Sequence, residues 1–281
     1  DLPPEAFEIV VIHTTGDNQR LIDADQPLKT LGGKGLFTRE IEQSMLRGGI
    51  DIAVHSMKDM PVLQPEGLVL DCFLPREDVR DAFVSLTAAS LAELPKGAEL
   101  GSSSLRRRAQ LLHRFPHLKV VEFRGNVQTR MKKLQDGVAD ATFLAMAGLN
   151  RLGMADVARS AIDPDEMLPA VAQGAIGIER RMDDSNTAGL LEAIHDGVTG
   201  QRLTAERAFL EALDGSCETP IAGLATLDGG TLRLRGEVLR PDGSEVIADD
   251  RTCPVEDGAE LGRVMAKDML AQAGPDFFSW R

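Results

Sequence analysis

Three consecutive strand–turn–helix units between residues 100 and 151 constrain the fold of this chain more than any other feature. The first contains the turn Gly101-Ser102-Ser103-Ser104, followed by an amphipathic helix. The second has its strand at Lys119 to Phe123 and the third at Ala141 to Ala145, each again followed by a turn and a helix. Strands alternating with helices in this way predict an α/β fold, with ligands bound outside the carboxyl ends of the strands.

A further α/β unit precedes these three. The apolar run within Phe7 to Ile12 predicts a buried strand, and Ile50 to His55 predicts another. Between them, Thr38 can cap a helix that ends at Gly48-Gly49. The loop Ser56-Met57-Lys58-Asp59-Met60-Pro61 follows the carboxyl end of the second strand and is therefore a candidate site.

Breaks in the hydrophobic pattern divide the chain. The charged stretch from Pro75 to Asp81 indicates a crossover into a second domain, and Leu168-Pro169-Ala170 indicates the return. Ala175 to Arg181 then reads as a strand that rejoins the first domain. After about Gly197, a helix, alternating strands and a last helix predict a small α+β domain. We therefore expect domain 1 at 1–76 with 172–194, domain 2 at 80–168 and domain 3 at 197–281.

Composition excludes several classes of protein. No apolar run approaches the roughly 20 residues of a membrane-spanning helix. Three widely separated cysteines form neither a disulfide framework nor a metal site, and a reducing, cytoplasmic setting follows. The 281 residues carry a net charge of −13, yet residues 101–151 hold ten basic and three acidic side chains. This pattern favours a compact basic cleft for a small polyanion over a nucleic-acid surface.

Arginines lie at two predicted helix starts, where the positive end of the helix dipole disfavours them. Arg106 and Arg107 open one helix, and Arg124 and Arg130 flank the start of another. One explanation is a solvated run of charge. The other is an anion bound by backbone N–H groups and guanidinium groups together, which the repetition on adjacent units favours.

Other candidate residues are ambiguous when taken singly. Asp59 can be an ordinary turn aspartate. Lys34, in Gly32-Gly33-Lys34-Gly35, lacks the spacing of a phosphate-binding loop. Cys217 lies in a Gly/Ser loop, where a thiol can be accessible, whereas Cys72 and Cys253 resemble small core residues. The histidines offer no metal-ligand spacing, so we expect no metal and a packed His55.

Taken together, six segments resemble the porphobilinogen deaminase family, in the family's order and over essentially the whole chain. The segments are Gly32-Gly33-Lys34-Gly35-Leu36-Phe37, Asp51-Ile52-Ala53-Val54-His55-Ser56-Met57-Lys58-Asp59, Gly101-Ser102-Ser103-Ser104-Leu105-Arg106-Arg107, Arg124-Gly125-Asn126, Leu168-Pro169-Ala170-Val171-Ala172-Gln173-Gly174 and Gly215-Ser216-Cys217.

The resemblance implies two lobes like those of a type II periplasmic binding protein, with the active cleft between them, plus the small C-terminal α+β domain. It implies a dipyrromethane cofactor attached to Cys217 through a thioether. Porphobilinogen then loses ammonia to give an azafulvene, and four condensations and a hydrolysis release hydroxymethylbilane. A cytoplasmic monomer that binds neither nucleic acid nor membrane is expected.

The resemblance also gives the candidate residues roles. Asp59 is the expected catalytic group, which accepts hydrogen bonds from pyrrole N–H groups and stabilises the cationic azafulvene. The arginines can bind the carboxylates of the cofactor or of the substrate, and Lys34, Lys58 and Ser104 match family positions that contact substrate or cofactor. The cofactor set is Cys217, Lys58, Ser104, Arg106, Arg107, Arg124 and Arg130, and the substrate set is Lys34, Arg124, Arg130 and Arg151.

Two departures from the family pattern stand out. Ser216 replaces a glycine that commonly precedes the cysteine, with little expected effect. The family's first strand and helix, with an Arg-x-Ser-x-Leu-Ala-x-x-Gln motif, have no counterpart in this sequence. We therefore expect roughly 30 further residues upstream in the natural protein. Without them, the first strand would present an unpaired edge, and the chain would be less stable and nearly inactive.

Two other classes of function remain. A solute-binding protein of the same lobed architecture would bind an anion without chemistry and would not need Cys217. A nucleic-acid-binding module would use the arginines on phosphates, and its affinity would fall steeply with salt. A covalent mass excess of two pyrrole units separates both from the enzyme.

Overall fold

A computed structural model describes residues 2–14, 38–213, 219–274 and 276–279. Lys34 and Cys217 lie outside this part of the chain. In chain order, the strands are β1 (Ile52–Ser56), β2 (Leu68–Phe73), β3 (Asp81–Ser85), β4 (Glu99–Gly101), β5 (Lys119–Val121), β6 (Ala141–Ala145), β7 (Ser160–Ala161), β8 (Ile176–Arg181), β9 (Ile221–Asp228), β10 (Thr231–Leu239) and β11 (Val246–Pro254). The helices are α1 (Arg39–Leu46), α2 (Leu105–Arg114), α3 (Val127–Gln135), α4 (Met146–Arg151), α5 (Ser185–Glu192), α6 (Gly197–Ala212) and α7 (Gly258–Gln272).

The first sheet has the strand order β1-β8-β2, and both pairings are antiparallel. Its central strand, β8, comes from the return segment, as predicted, so two distant parts of the sequence share one sheet. Met45 of α1 packs with Ala53 and Leu68 in the core beside it. The strand end at Ser56 leads directly into a 3-10 turn, Met57–Asp59.

The second sheet has the order β5-β4-β6-β3-β7. β5, β4 and β6 are parallel, which confirms the three strand–turn–helix units predicted from the sequence. β3 pairs antiparallel with β6, and β7 pairs antiparallel with β3 at the edge of the sheet. Phe83 and Phe143 are fully buried opposite each other in the core of this sheet.

The third sheet is an antiparallel meander, β11-β10-β9, covered by α6 and α7. Phe209 of α6 and Met265 of α7 lie so close to Gly236 of β10 that a β-carbon there would be 2.5 Å from the Phe209 ring and 2.6 Å from the Met265 methyl. The glycine thus lets both helices approach the strand. The three sheets give two α/β lobes and a C-terminal α+β domain; the domain boundaries stay a prediction.

The predicted strand at Phe7 to Ile12 is wrong for this structure. A strand needs a hydrogen-bonded neighbour, and none of the described strands pairs with these residues. Ile9 is 89% exposed and Val11 77%, so the apolar run is not buried. None of the described helices is both long and apolar enough to cross a membrane.

Candidate active site

The carboxyl ends of β4, β5 and β6 lie side by side, and each leads to a segment that carries predicted site residues. Ser104 caps α2 by accepting a hydrogen bond from the Arg107 amide (3.4 Å). Asn126 caps α3 by accepting from the Thr129 amide (2.9 Å), just after buried Arg124. Parallel strands therefore bring two of the predicted helix starts to one edge of the second sheet.

Three more predicted residues have distinct surroundings. Arg130 lies in α3, where its Nε donates to the Gly125 carbonyl (2.8 Å). Arg151 ends α4 after β6 and is exposed. Lys58 and Asp59 lie on the first lobe, in the turn after β1. The candidate residues therefore come from both lobes.

Arg106 and Arg107 converge on one carboxylate of the same chain. Asp81, the first residue of β3, has no exposed surface. Its Oδ2 is 2.8 Å from Arg106 Nη2, and its Oδ1 accepts from Arg107 Nη2 (2.7 Å) and Nε (3.1 Å). Gln173 Nε2 donates to the same Oδ1 (3.0 Å). The internal anion explains why two arginines can occupy the start of a helix.

The electrostatics of this cluster favour the charged form of Asp81, whereas burial lowers the pKa of Arg106. Burial alone would raise the pKa of Asp81, but the charges of Arg106 and Arg107 outweigh burial and hold it far below its ordinary value. Arg106 Nη1 and Arg107 Nη1 donate to the carbonyls of Leu168 (2.9 Å) and Phe143 (3.0 Å). Arg106 Nε is buried without a partner among the described residues.

Lys58 and Asp59 carry charge on the first lobe, in the turn after β1. Lys58 is half-buried, and within the described ranges its ammonium group has no hydrogen-bond or ion-pair partner. Burial lowers its pKa, Asp59 and Asp81 oppose that shift, and Arg106 and Arg107 add to it. These five groups therefore interact electrostatically. Asp59 is exposed and accepts no hydrogen bond from any residue that the structure describes.

A second buried cluster lies where the chain crosses between the lobes. Glu206 of α6, fully buried, binds Arg76 through two hydrogen bonds (2.6 and 3.1 Å). It also accepts from the backbone amides of Ala172 (2.6 Å) and Ala225 (2.7 Å). Ala172 has a φ of 61°, which is uncommon for a residue with a side chain. Glu206 thus connects the first crossover, and the segment that follows the second, to the third domain.

Four residues of these two clusters were not predicted as site residues from the sequence: Asp81, Gln173, Arg76 and Glu206. Asp81 was assigned to the crossover, although its position directly before the apolar run Ala82-Phe83-Val84 was a usable signal. Nothing in the local sequence distinguishes Glu206 from a surface residue of a helix. His55 is packed as predicted, with its Nε2 3.1 Å from Glu179 Oε2.

The fold and the site define a two-lobed α/β protein with cationic groups on both lobes, suited to a polycarboxylate. Residues 2–189 match the family model "Porphobilinogen deaminase, dipyromethane cofactor binding domain", and residues 201–271 match "Porphobilinogen deaminase, C-terminal domain". The chain belongs to the porphobilinogen deaminase family.

Curated relatives agree with this assignment. The chain is 68% identical over 279 residues to porphobilinogen deaminase of Paracoccus denitrificans (strain Pd 1222), covering 99% of this chain and 88% of that protein. It is 53% identical over 276 residues to the chloroplastic porphobilinogen deaminase of Oryza sativa subsp. japonica, covering 97% and 76%.

Solved structures give weaker matches. A periplasmic substrate-binding protein of an ABC transporter from Coxiella burnetii has a TM-score of 0.38 and 15% identity, covering 58% of this chain and 78% of that one. An arginine-specific periplasmic binding protein from Salmonella typhimurium has a TM-score of 0.35 and 16% identity, covering 58% and 72%. Because these scores are low, the two-lobed description rests on the chain's own strand order.

Proposed function

We propose that this chain is a transferase that joins four porphobilinogen molecules head to tail on a covalently bound dipyrromethane and releases hydroxymethylbilane. The observation that carries the proposal is the match of residues 2–189 to the family's cofactor-binding domain, because this range contains Lys58, Asp59 and the arginine cluster. The product is a precursor for tetrapyrrole biosynthesis.

The residues present fit a dipyrromethane. Each of its pyrroles carries two carboxylates, which need cationic partners. The Lys58 ammonium and the Arg106 Nε, both without a partner among the described residues, can supply such bonds, and Ser104 and Arg107 lie at the same helix start as Arg106. We assign the cofactor carboxylates to these four groups, with Arg124 and Arg130 at the next helix. When bound, the cofactor supplies the pyrrole carbon that accepts the first incoming unit.

Cys217 is the proposed point of attachment, through a thioether. The thiolate is the reactive form of cysteine, so a raised pKa makes a thiol less nucleophilic at neutral pH. Burial, with a contribution from nearby carboxylates, raises the pKa of both Cys72 and Cys253. Both are free thiols. The raised pKa values make Cys72 and Cys253 poorer nucleophiles and therefore weaker candidates for the attachment point. Cys217 itself lies outside the described residues.

Asp59 is the proposed catalytic residue. When porphobilinogen loses ammonia, positive charge develops on the pyrrole, and a fixed carboxylate stabilises that charge. The Asp59 carboxylate also accepts a hydrogen bond from the pyrrole N–H group. Its exposure leaves its oxygens available to substrate. Lys34, Arg124, Arg130 and Arg151 are the proposed partners of the substrate carboxylates, Lys34 again lying outside the described residues.

We further propose that the protein is a cytoplasmic monomer that uses its cationic groups on small carboxylates and binds neither nucleic acid nor membrane. The free thiols Cys72 and Cys253 are compatible with a reducing compartment. Light scattering behind size exclusion tests the monomer. Added duplex DNA at low salt should leave the elution volume unchanged.

The function is tested by the stoichiometry of turnover. The full-length gene product is incubated with porphobilinogen, and ammonia, remaining porphobilinogen and linear tetrapyrrole are measured together. The proposal predicts that four porphobilinogens and one water give one hydroxymethylbilane and four ammonia. Porphobilinogen bound without release of ammonia would instead indicate a solute-binding protein.

A further inference from the structure

The turn that carries Asp59 is packed against the third domain. Met57 and Met60 bracket Lys58 and Asp59 in sequence, and both are buried in one apolar cluster with Leu203 and Phe209 of α6. Gly177 of β8 makes room for this arrangement, since a β-carbon there would collide with the Met57 sulfur. The turn therefore shares an apolar cluster with Leu203 and Phe209, which lie more than 140 positions away in sequence.

The backbone of the turn is fixed at its start. The Met57 amide donates to the Ala175 carbonyl (3.0 Å), and the Met60 amide donates to the Met57 carbonyl (3.3 Å). The Asp59 carboxylate has no hydrogen bond of its own to any described residue. Its position therefore depends on how firmly the backbone on both sides of the turn is held.

The end of the turn is held by one side chain of α6. Arg207 Nη2 donates to the carbonyls of Pro61 and Val62, both at 2.8 Å. The Pro61 carbonyl also accepts from Gln64 Nε2 (2.9 Å). Burial lowers the pKa of Arg207, and Glu211 opposes that shift. A guanidinium group is thus desolvated to bind two backbone carbonyls directly after Asp59 and Met60.

We infer that Arg207 is a positioning residue: through the Pro61 and Val62 carbonyls, it holds the Asp59 carboxylate where the reaction needs it. This inference rests on the proposed role of Asp59. Displacement of a catalytic group by about 1 Å can reduce the rate by roughly 10²-fold. The third domain then has two roles, because it carries the cofactor cysteine and also orders the turn of the first lobe.

The test compares three variants in the full-length holoenzyme. Arg207→Met keeps the apolar stem but removes the donors. Arg207→Lys keeps a cation with three donors, and a single nitrogen makes both bonds in the native protein. Arg263→Met is the matched control, since Arg263 is exposed and, among the residues that the structure describes, bonds only to Glu260 in its own helix α7 (3.1 Å). Steady-state kinetics, intact mass and amide hydrogen exchange are measured for each.

We expect Arg207→Met to keep its cofactor and to lose roughly 10- to 100-fold in kcat, with a much smaller change in KM. Amides of residues 57–62 should exchange faster, while those of α7 stay unchanged. Arg207→Lys should recover most of the rate, and Arg263→Met should match the wild type. If Arg207→Met does not fold, Arg207→Gln is judged by the same criteria.

Two results would overturn the inference while leaving the proposed function intact: wild-type kcat in Arg207→Met, or a loss in Arg207→Lys as large as in Arg207→Met. Failure of the wild type to turn over porphobilinogen would instead contradict the proposed function itself. The wild-type measurement therefore separates the two.

Discussion

Asp81 carries the negative charge around which Arg106 and Arg107 are arranged. Asp81→Asn would leave two buried guanidinium groups without their counter-ion. Since breaking a buried ion pair from one side costs about 3–5 kcal/mol, we expect the free energy of unfolding to fall by that amount. Urea unfolding at neutral pH measures it. Asp136→Asn is the control, because its pair with Lys132 is exposed and contributes at most about 1 kcal/mol.

The same residue predicts a pH dependence. The pKa of Asp81 is lower in the folded protein than its ordinary value of about 4. Its stabilising effect is therefore fully present above that value and is lost as the pH falls towards the folded-state pKa. Between neutral pH and about pH 3, the stability of the wild type should decline more steeply than that of Asp81→Asn. Parallel curves from thermal melts would refute the assignment.

Asp59 differs from Asp81 because it is exposed and unpaired among the described residues. Asp59→Asn should leave the free energy of unfolding and the cofactor content almost unchanged. Its kcat should fall by roughly 10²-fold or more, since the amide keeps the shape but loses the charge that opposes the developing cation. Initial rates at saturating porphobilinogen test this; a near-wild-type rate would make Asp59 a turn residue only.

At the scale of elements, the β10–β11 turn fastens the third domain to the helix that carries Arg106 and Arg107. The Gly243 carbonyl lies 3.0 Å from His113 Nδ1 of α2, and Arg114 of that helix pairs with Glu237 of β10 (2.8 Å). Gly243 has a φ of 73°, and a β-carbon on it would be 2.6 Å from the His113 amide nitrogen.

Gly243→Ala should therefore lower stability through both backbone strain and a clash with α2. Gly229→Ala separates the two effects, because Gly229 also has a positive φ (57°) but open space around it. The strain alone costs roughly 1–2 kcal/mol. We expect the loss in Gly243→Ala to exceed that in Gly229→Ala in urea unfolding. Equal losses of stability in the two variants would show that no clash between the β10–β11 turn and α2 contributes.

The sequence predicted those strands and helices whose formation depends on residues close together in the chain. The units at β4, β5 and β6 were predictable because apolar strands, glycine turns and caps such as Ser104 are encoded within a few residues. The strand at Phe7 to Ile12 was wrong because a strand also depends on partners elsewhere in the chain. β3 was missed because Asp81, its first residue, is neutralised by arginines that are 25 and 26 residues away.

At the scale of the whole molecule, the third domain contacts three parts of the candidate site: the segments that cross between the lobes, the Asp59 turn and α2. Glu206 holds the first crossover and the segment that follows the second, Arg207 holds the Asp59 turn, and the Gly243 turn rests on α2. The sequence indicated the cationic residues of the cleft, since charge and helix position are local properties. It could not indicate these three supports, because the contacts Arg76–Glu206, Arg207–Pro61 and His113–Gly243 each join residues that lie more than 120 positions apart.

The central claim is a dipyrromethane on Cys217 that grows one pyrrole at a time. Intact mass spectrometry of the full-length gene product tests it most directly, before and after a limiting amount of porphobilinogen. We predict a mass excess of two pyrrole units before addition and further species spaced by one pyrrole unit afterwards. Cys72→Ser and Cys253→Ser should keep the excess, and Cys217→Ser should lose it, because an alcohol is a far poorer nucleophile than a thiolate. An unmodified wild-type mass, or an adduct that survives in Cys217→Ser, would contradict the account.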